Sequence, residues 1–184
     1  GGRGITSMQA GKFRNVSAVN CDNTGSTGGG MHFVTCYVEG CFVTKCSGGT
    51  GGGVYATGGS SLTNCAITNC SSGNTGGGAS ATSNSSLTNC AITNCSSGNT
   101  GGGVHATSNS SLTNCAITNC SGNYDGGGDA AGGSSLTNCA ITNCSGGVTY
   151  DGGGVYATDD SSLTNCAITN CISRYGGGVY AAGS

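Results

Sequence analysis

The chain has 184 residues and a mass of 17.5 kDa, and its residues are unusually small: 39 are Gly, none is Pro or Trp, and only 5% are aromatic. Such a composition excludes a helical bundle or a doubly wound sheet. With 35% hydrophobic and 7% charged residues it would suit a disordered linker, were it not for 14 Cys and a strict repeat. A net charge of −2 from five cations and seven acids leaves too little positive surface for nucleic acid, and no window approaches the roughly 20 apolar residues of a membrane span.

Charge is unevenly placed. Residues 1–46 hold Arg3, Lys12, Arg14 and Lys45 against Asp22 and Glu39, a balance of +2; residues 47–184 hold Arg174 against Asp125, Asp129, Asp151, Asp159 and Asp160, a balance of −4. Neither a secretory leader pattern nor an initiating Met is present, which suits a mature fragment.

Along the chain, Gly-Gly-Gly begins at 28, 51, 76, 101, 126, 152 and 176, with Gly-Arg-Gly at 2, at intervals of 23 to 26 residues. Residues 1–46 are divergent copies, in which Phe13 and Val38 take the place of Leu62. Residues 47–184 are near-identical copies of SSLTNCAITNC, a glycine triplet and a short apolar run. No composition break divides the chain, so 1–184 is one domain. A period near 25, with apolar residues in short runs split by Asn and Gly, is too glycine-rich for helical repeats and closes a coil of short strands instead. In each coil Leu62, Cys65, Ile67, Cys70, Val54 and Ala56 and their equivalents face inward. A single coil buries nothing alone, whereas coils stacked about 4.8 Å apart share one continuous core.

Stacking predicts columns. Asn64, Asn89, Asn114, Asn138 and Asn165 form one ladder of bends and Asn69, Asn94, Asn119, Asn143 and Asn170 a second, because Asn tolerates left-handed backbone and its amide can bond the next rung. Cys41, Cys65, Cys90, Cys115, Cys139 and Cys166 form one cysteine column; Cys21, Cys46, Cys70, Cys95, Cys120, Cys144 and Cys171 form the other, with Cys36 apart and Val16 substituting in the first coil. Three chemistries stand open for these columns: buried thiols packed as small hydrophobes, disulfides between coils, or metal ligation, although the C-x-x-x-x-C spacing is not that of zinc ribbons.

The glycine-rich element and the Asn-terminated strands resemble the right-handed parallel β-helix repeat, in the style of polymorphic outer-membrane-protein and adhesin repeats, over residues 2–182. The resemblance implies an all-β, right-handed parallel β-helix of about seven coils and an extracellular or cell-surface setting. Proteins of this architecture include adhesins, fibre subunits and polysaccharide-cleaving enzymes.

Outward positions carry the remaining chemistry. Thr68, Thr93, Thr118, Thr142 and Thr169, each two residues after an Ala, make a flat Ala/Thr array, the form an ice-binding face takes. Asn84 and Asn109 are glycosylation candidates in exposed turns, while the Asn-Cys-Ser sequons at Asn69, Asn94, Asn119 and Asn143, and Asn15, belong to the bend ladders. Asp125, Asp129 and Asp151 are weak Ca²⁺ candidates, with Asp129 placed in the column of Val54, Val104 and Val155, and are otherwise solvated turn residues. His32 and His105 share an outward column with Tyr55, Tyr156 and Tyr180 and are expected at the surface. Asp159-Asp160 imitates the paired aspartates of pectin hydrolases, but the companion motifs are missing, and no catalytic residue or cofactor is assigned. The expected function is a non-enzymatic structural rod: a fibre subunit or adhesin shaft that stacks head to tail with copies of itself through the glycine phase at which it starts and stops, and that carries glycans. Ice binding and polysaccharide cleavage are the alternatives.

Overall fold

In a computed structural model the described residues are 4–147 and 152–182, and they wind as an all-β, right-handed parallel β-helix of about seven turns. Each coil visits four parallel sheets in turn. The first sheet holds eight strands and includes Val54–Thr57, Ala79–Ala81, Val104–Ala106, Gly128–Ala130 and Val155–Ala157. A second, of seven strands, stacks Ser61–Thr63, Ser86–Thr88, Ser111–Thr113, Ser135–Thr137 and Ser162–Thr164. The third, also of seven, stacks Ala66–Thr68, Ala91–Thr93, Ala116–Thr118, Ala140–Thr142 and Ala167–Thr169. A shorter fourth sheet of five strands precedes the glycine triplets, from Asp22–Thr27 to Ser121–Gly122. Equivalent residues pair in register, as in Leu62↔Leu87↔Leu112↔Leu136↔Leu163 and Ile67↔Ile92↔Ile117↔Ile141↔Ile168.

The corners follow from residue type. Asn64 and Asn69 both have φ 54°, and the same left-handed conformation recurs at every Asn of the two ladders. This concentrates a bend in one residue that a β-branched side chain would resist. Two consecutive left-handed residues turn the chain between the first and second sheets: Gly58-Gly59, Ser83-Asn84, Ser108-Asn109, Gly132-Gly133 and Asp159-Asp160, the dihedral pattern of a type I′ turn. The glycine triplet makes the tightest corner. Gly101 has φ 60°, a Cβ on Gly102 would lie 2.3 Å from the carbonyl carbon and oxygen of Ser121, and one on Gly103 would lie 2.5 Å from Ile117 Cγ2.

The core is the predicted thin column. Leu62, Cys65, Ile67, Cys70, Val54 and Ala56 are all buried, as are their equivalents through the middle coils, and the strands alternate inward and outward. Phe33 and Met31, the largest fully buried side chains, fill the core of a divergent coil, where Phe33 packs on Phe13 at 5.7 Å between ring centroids.

Candidate functional site

All fourteen cysteines are free thiols, and both predicted columns are present. Within each coil the Sγ atoms hydrogen-bond carbonyls two residues back, as Cys65 does to Thr63 at 3.3 Å and Cys70 to Thr68 at 3.2 Å. Sγ atoms also reach carbonyls of the preceding rung, as Cys90 does to Leu62 at 3.7 Å and Cys95 to Ile67 at 3.8 Å. Thiols on neighbouring rungs act on one another in alternation, raising Cys46, Cys95 and Cys144 and lowering Cys70 and Cys120, while burial favours the neutral thiol in all of them. With no cation beside them these thiols stay protonated, as packing groups should. Among the described residues no three His, Cys, Asp or Glu side chains converge to hold a metal ion.

The asparagine ladders work mainly through the backbone. Their side chains are exposed, and Asn94 Nδ2 donating to Asn69 Oδ1 at 3.4 Å is the described side-chain bond between rungs. The Asn-Cys-Ser sequons at Asn69, Asn94, Asn119 and Asn143 therefore face solvent, as Asn84 and Asn109 do. The Ala/Thr array is in register, with Thr68 Oγ1 donating to Thr44 Oγ1 at 3.0 Å and the Thr142 and Thr169 hydroxyls 3.2 Å apart.

One place breaks the pattern, and there the structure corrects three expectations. The coil around 122–131 is one residue short, so its glycine triplet slides along the register. Gly128 takes the Val column, pairing with Val104 and Val155, and Asp129 takes the outward column between His105 and Tyr156. Asp129 is thus not in the valine column. Asp125, expected in a solvated turn, falls where earlier coils have the first glycine and is fully buried, at 0% exposure. In the coils before it, the N–H of that first glycine donates to a threonine carbonyl, as Gly51 does to Thr75 and Gly76 to Thr100. The Gly101 N–H donates instead to Asp125 Oδ2, so a side chain replaces a missing main-chain acceptor. His105, expected at the surface, keeps the outward column but is largely covered. Its Nε2 lies 3.2 Å from Asp129 Oδ2, and the two side chains are 21% and 8% exposed.

The structure thus brings together Asp125, Asp129 and His105; Asp151 lies outside the described residues. Thr100 donates its hydroxyl to Asp129. Burial, then the Asp129 charge, raises the Asp125 carboxyl well above the usual carboxylate range, against the Gly101 bond. Burial also raises Asp129, with His105 opposing, and it lowers His105, with Asp129 opposing. Asp125 Oδ1 and His105 Nδ1 are buried without a hydrogen-bond partner among the described residues. A neutral His105 that donates through Nε2 to an ionised Asp129, beside a protonated Asp125, satisfies this geometry. Counting back from Leu136 finds the shift: Leu112 follows Cys95 by 17 residues, Leu136 follows Cys120 by 16, and Ala130 precedes Leu136 by the same six residues that separate Ala106 from Leu112.

Elsewhere the outward column pairs rings, His32 edge-on to Tyr55 at 4.9 Å and Tyr156 stacked on Tyr180 at 5.5 Å. An open groove of about 500 Å³ runs over the divergent coils, lined by Lys12, Arg14, Tyr37, Glu39, Ser61 and Thr63. Within it Arg14 and Glu39 form an exposed ion pair at 3.0 Å. No helix of the described residues is long and apolar enough to cross a membrane.

This wound, in-register architecture matches the family model described as right-handed beta helix region over residues 17–184. The chain belongs to that family. No curated protein matches it.

Proposed function

We propose that the chain is a non-catalytic structural rod of the extracellular or cell-surface space, a fibre subunit or adhesin shaft. The observation that carries this reading is register. From Ser61 to Thr169 five successive coils place Ser-Leu-Thr over Ser-Leu-Thr and Ala-Ile-Thr over Ala-Ile-Thr, so the outer surface repeats at every rung. Catalysis needs one convergent cluster of reactive groups held against a substrate. A copied surface instead offers many equal, weak contacts, which suits lateral packing or avidity. The positive balance of residues 1–46 and the negative balance of 47–184 give the rod opposite poles, which favours head-to-tail association of copies. Electron microscopy of the purified chain, with scattering across a concentration series, tests this. Filaments or rods that lengthen with concentration are expected; short dispersed particles at every concentration contradict it.

A second reading rests on the Ala/Thr array, in register from rung to rung, with the Thr142 and Thr169 hydroxyls 3.2 Å apart and Thr68 bonded at 3.0 Å to Thr44 of the preceding coil, a regular polar surface for ordered water. Thermal hysteresis that is lost on Thr118→Tyr supports ice binding; its absence in the unaltered chain dismisses it.

A further inference from the structure

The coil that breaks the repeat holds two adjacent buried carboxylates and no basic partner except a histidine. Asp125 is 0% exposed and Asp129 6%. The titratable groups around them are His105 from the strand of the preceding coil, at 3.2 Å from Asp129; Tyr156, in register with Asp129 on the next strand; Tyr124, adjacent to Asp125 in the chain; and Asp159 from the turn of the next coil, whose charge is felt by Asp129. Among the described residues Arg14–Glu39 is the ion pair formed by a Lys or Arg, so none of these cations pairs with the cluster. Two ionised carboxylates cannot share a dry site without a counter-charge, and removal of a charge from water costs several kcal/mol. One of the two must hold a proton. The more enclosed is Asp125, whose Oδ1 has no partner among the described residues and whose Oδ2 is the acceptor that Gly101 would otherwise lack.

We propose that Asp125 makes the coil at 122–131 a proton-locked joint: the coil is closed while the Asp125 carboxyl is neutral, and loss of that proton opens it, leaving two stiff stacks of coils either side. A solenoid suits such a joint, because each coil is held only by its neighbours and one weak interface does not unwind the rest. The packing here is already thin. Gly128 replaces a valine between Val104 and Val155, and a Cβ there would find its nearest neighbours at 3.9 Å.

Burial and the Asp129 charge raise Asp125 in the closed coil, so closure is fully favoured below the ordinary carboxylate range, about pH 3.9, and lost as pH rises toward the raised value. Burial lowers His105, so its contribution has the opposite sign: complete above about pH 6.5 and lost as pH falls. The two offset one another between these limits. Above about pH 6.5 the His105 contribution is complete and the raised carboxylates, Asp125 first, set the slope: opening increases with pH, by up to about tenfold per unit for each proton lost, until the raised values are passed.

Amide hydrogen exchange of the full chain from pH 6.5 to 8.5, corrected for intrinsic rates, reads this directly. Amides of 122–131 and Gly101 are expected to lose protection as pH rises, by up to about tenfold per unit for one proton, while those of Ser61–Thr68 do not. Asp125→Asn keeps an acceptor for Gly101 and removes the proton, so its profile is flatter than that of the unaltered chain by the slope of one proton. Asp129→Asn removes the like charge, which lowers the Asp125 value in the closed coil and makes the rise level off at lower pH. A flat profile in the unaltered chain overturns the proposal, as does an unchanged slope in Asp125→Asn. Should Asp125→Asn not fold, an Asp129→Asn profile parallel to that of the unaltered chain overturns it.

Discussion

Replacing Gly128 with Ala tests the register shift, because the outcome depends on which column that glycine occupies. If the triplet at 126–128 aligned with that at 101–103, Gly128 would correspond to Gly103, where a Cβ would lie 2.5 Å from Ile117 Cγ2 and 2.6 Å from Gly127 O. In the structure Gly128 pairs with Val104, has no left-handed φ, and would place its Cβ 3.9 Å from Leu136 Cδ2 and from Val104 O. A methyl group there makes ordinary contact. Restriction of the unfolded chain contributes about 0.4–1 kcal/mol, and burial of one methyl roughly 0.8 kcal/mol more, so Gly128→Ala is expected to stabilise by about 1–2 kcal/mol. Gly103→Ala must displace packed backbone and Ile117, at a cost of roughly 1–3 kcal/mol. Guanidinium denaturation of both variants beside the unaltered chain measures the two signs. A destabilised Gly128→Ala, or a neutral Gly103→Ala, refutes the assigned register.

Asn114, at φ 53°, is expected to tolerate Gly with little change but to lose about 1–2 kcal/mol on replacement by Val, measured by the same denaturation. Thiol titration of the native chain should modify no more than Cys21, Cys166 and Cys171, which are partly exposed, and all fourteen after denaturation; rapid native reaction of Cys90 or Cys95 would contradict the packed columns. Glu39→Gln breaks an exposed ion pair and should change stability by less than about 1 kcal/mol, with no added salt dependence. Ile117→Ala, at a fully buried position, should cost about 2–5 kcal/mol and lower protection most in its own and adjacent coils.

Most of the fold is legible because the repeat does the work of an alignment. Leu62, Cys65, Ile67 and Cys70 recur at one spacing in coil after coil, and a residue type that must be inward once must be inward every time. The bends of the near-identical coils are equally open to inspection, since Asn stands at both of them in each copy, whereas in the divergent coil Gly40 and Lys45 take the same left-handed conformation unannounced. The site was not legible by the same route. Aligning Gly126-Gly127-Gly128 with the other triplets places Asp129 in the core column and Asp125 in a turn, yet the coil is one residue short and the apolar anchors Ala130 and Leu136 override the glycines. Burial of Leu136 and Ala130 fixes the register more firmly than a match of residues with no side chain. His105 was hidden for a related reason. An outward column reads as exposed from the strand alternation alone, and only the carboxylate that the register shift sets beside it, Asp129, shows that His105 is paired and largely covered. The asparagine amides were expected to bond along the ladders, but the left-handed backbone turns most of them out to water.

The central claim, that equivalent residues lie one rung apart for the length of the chain, can be measured as a ruler. Spin labels carried by unnatural residues, which spare the fourteen thiols, would be placed in pairs at Thr63 and Thr164, Glu39 and Thr164, and Arg14 and Thr164, all members of one register. Those pairs are four, five and six rungs apart, so backbone separations near 19, 24 and 29 Å are expected, rising by about 4.8 Å at each step. Unequal increments, or separations that do not grow along the series, would contradict the stacked coil.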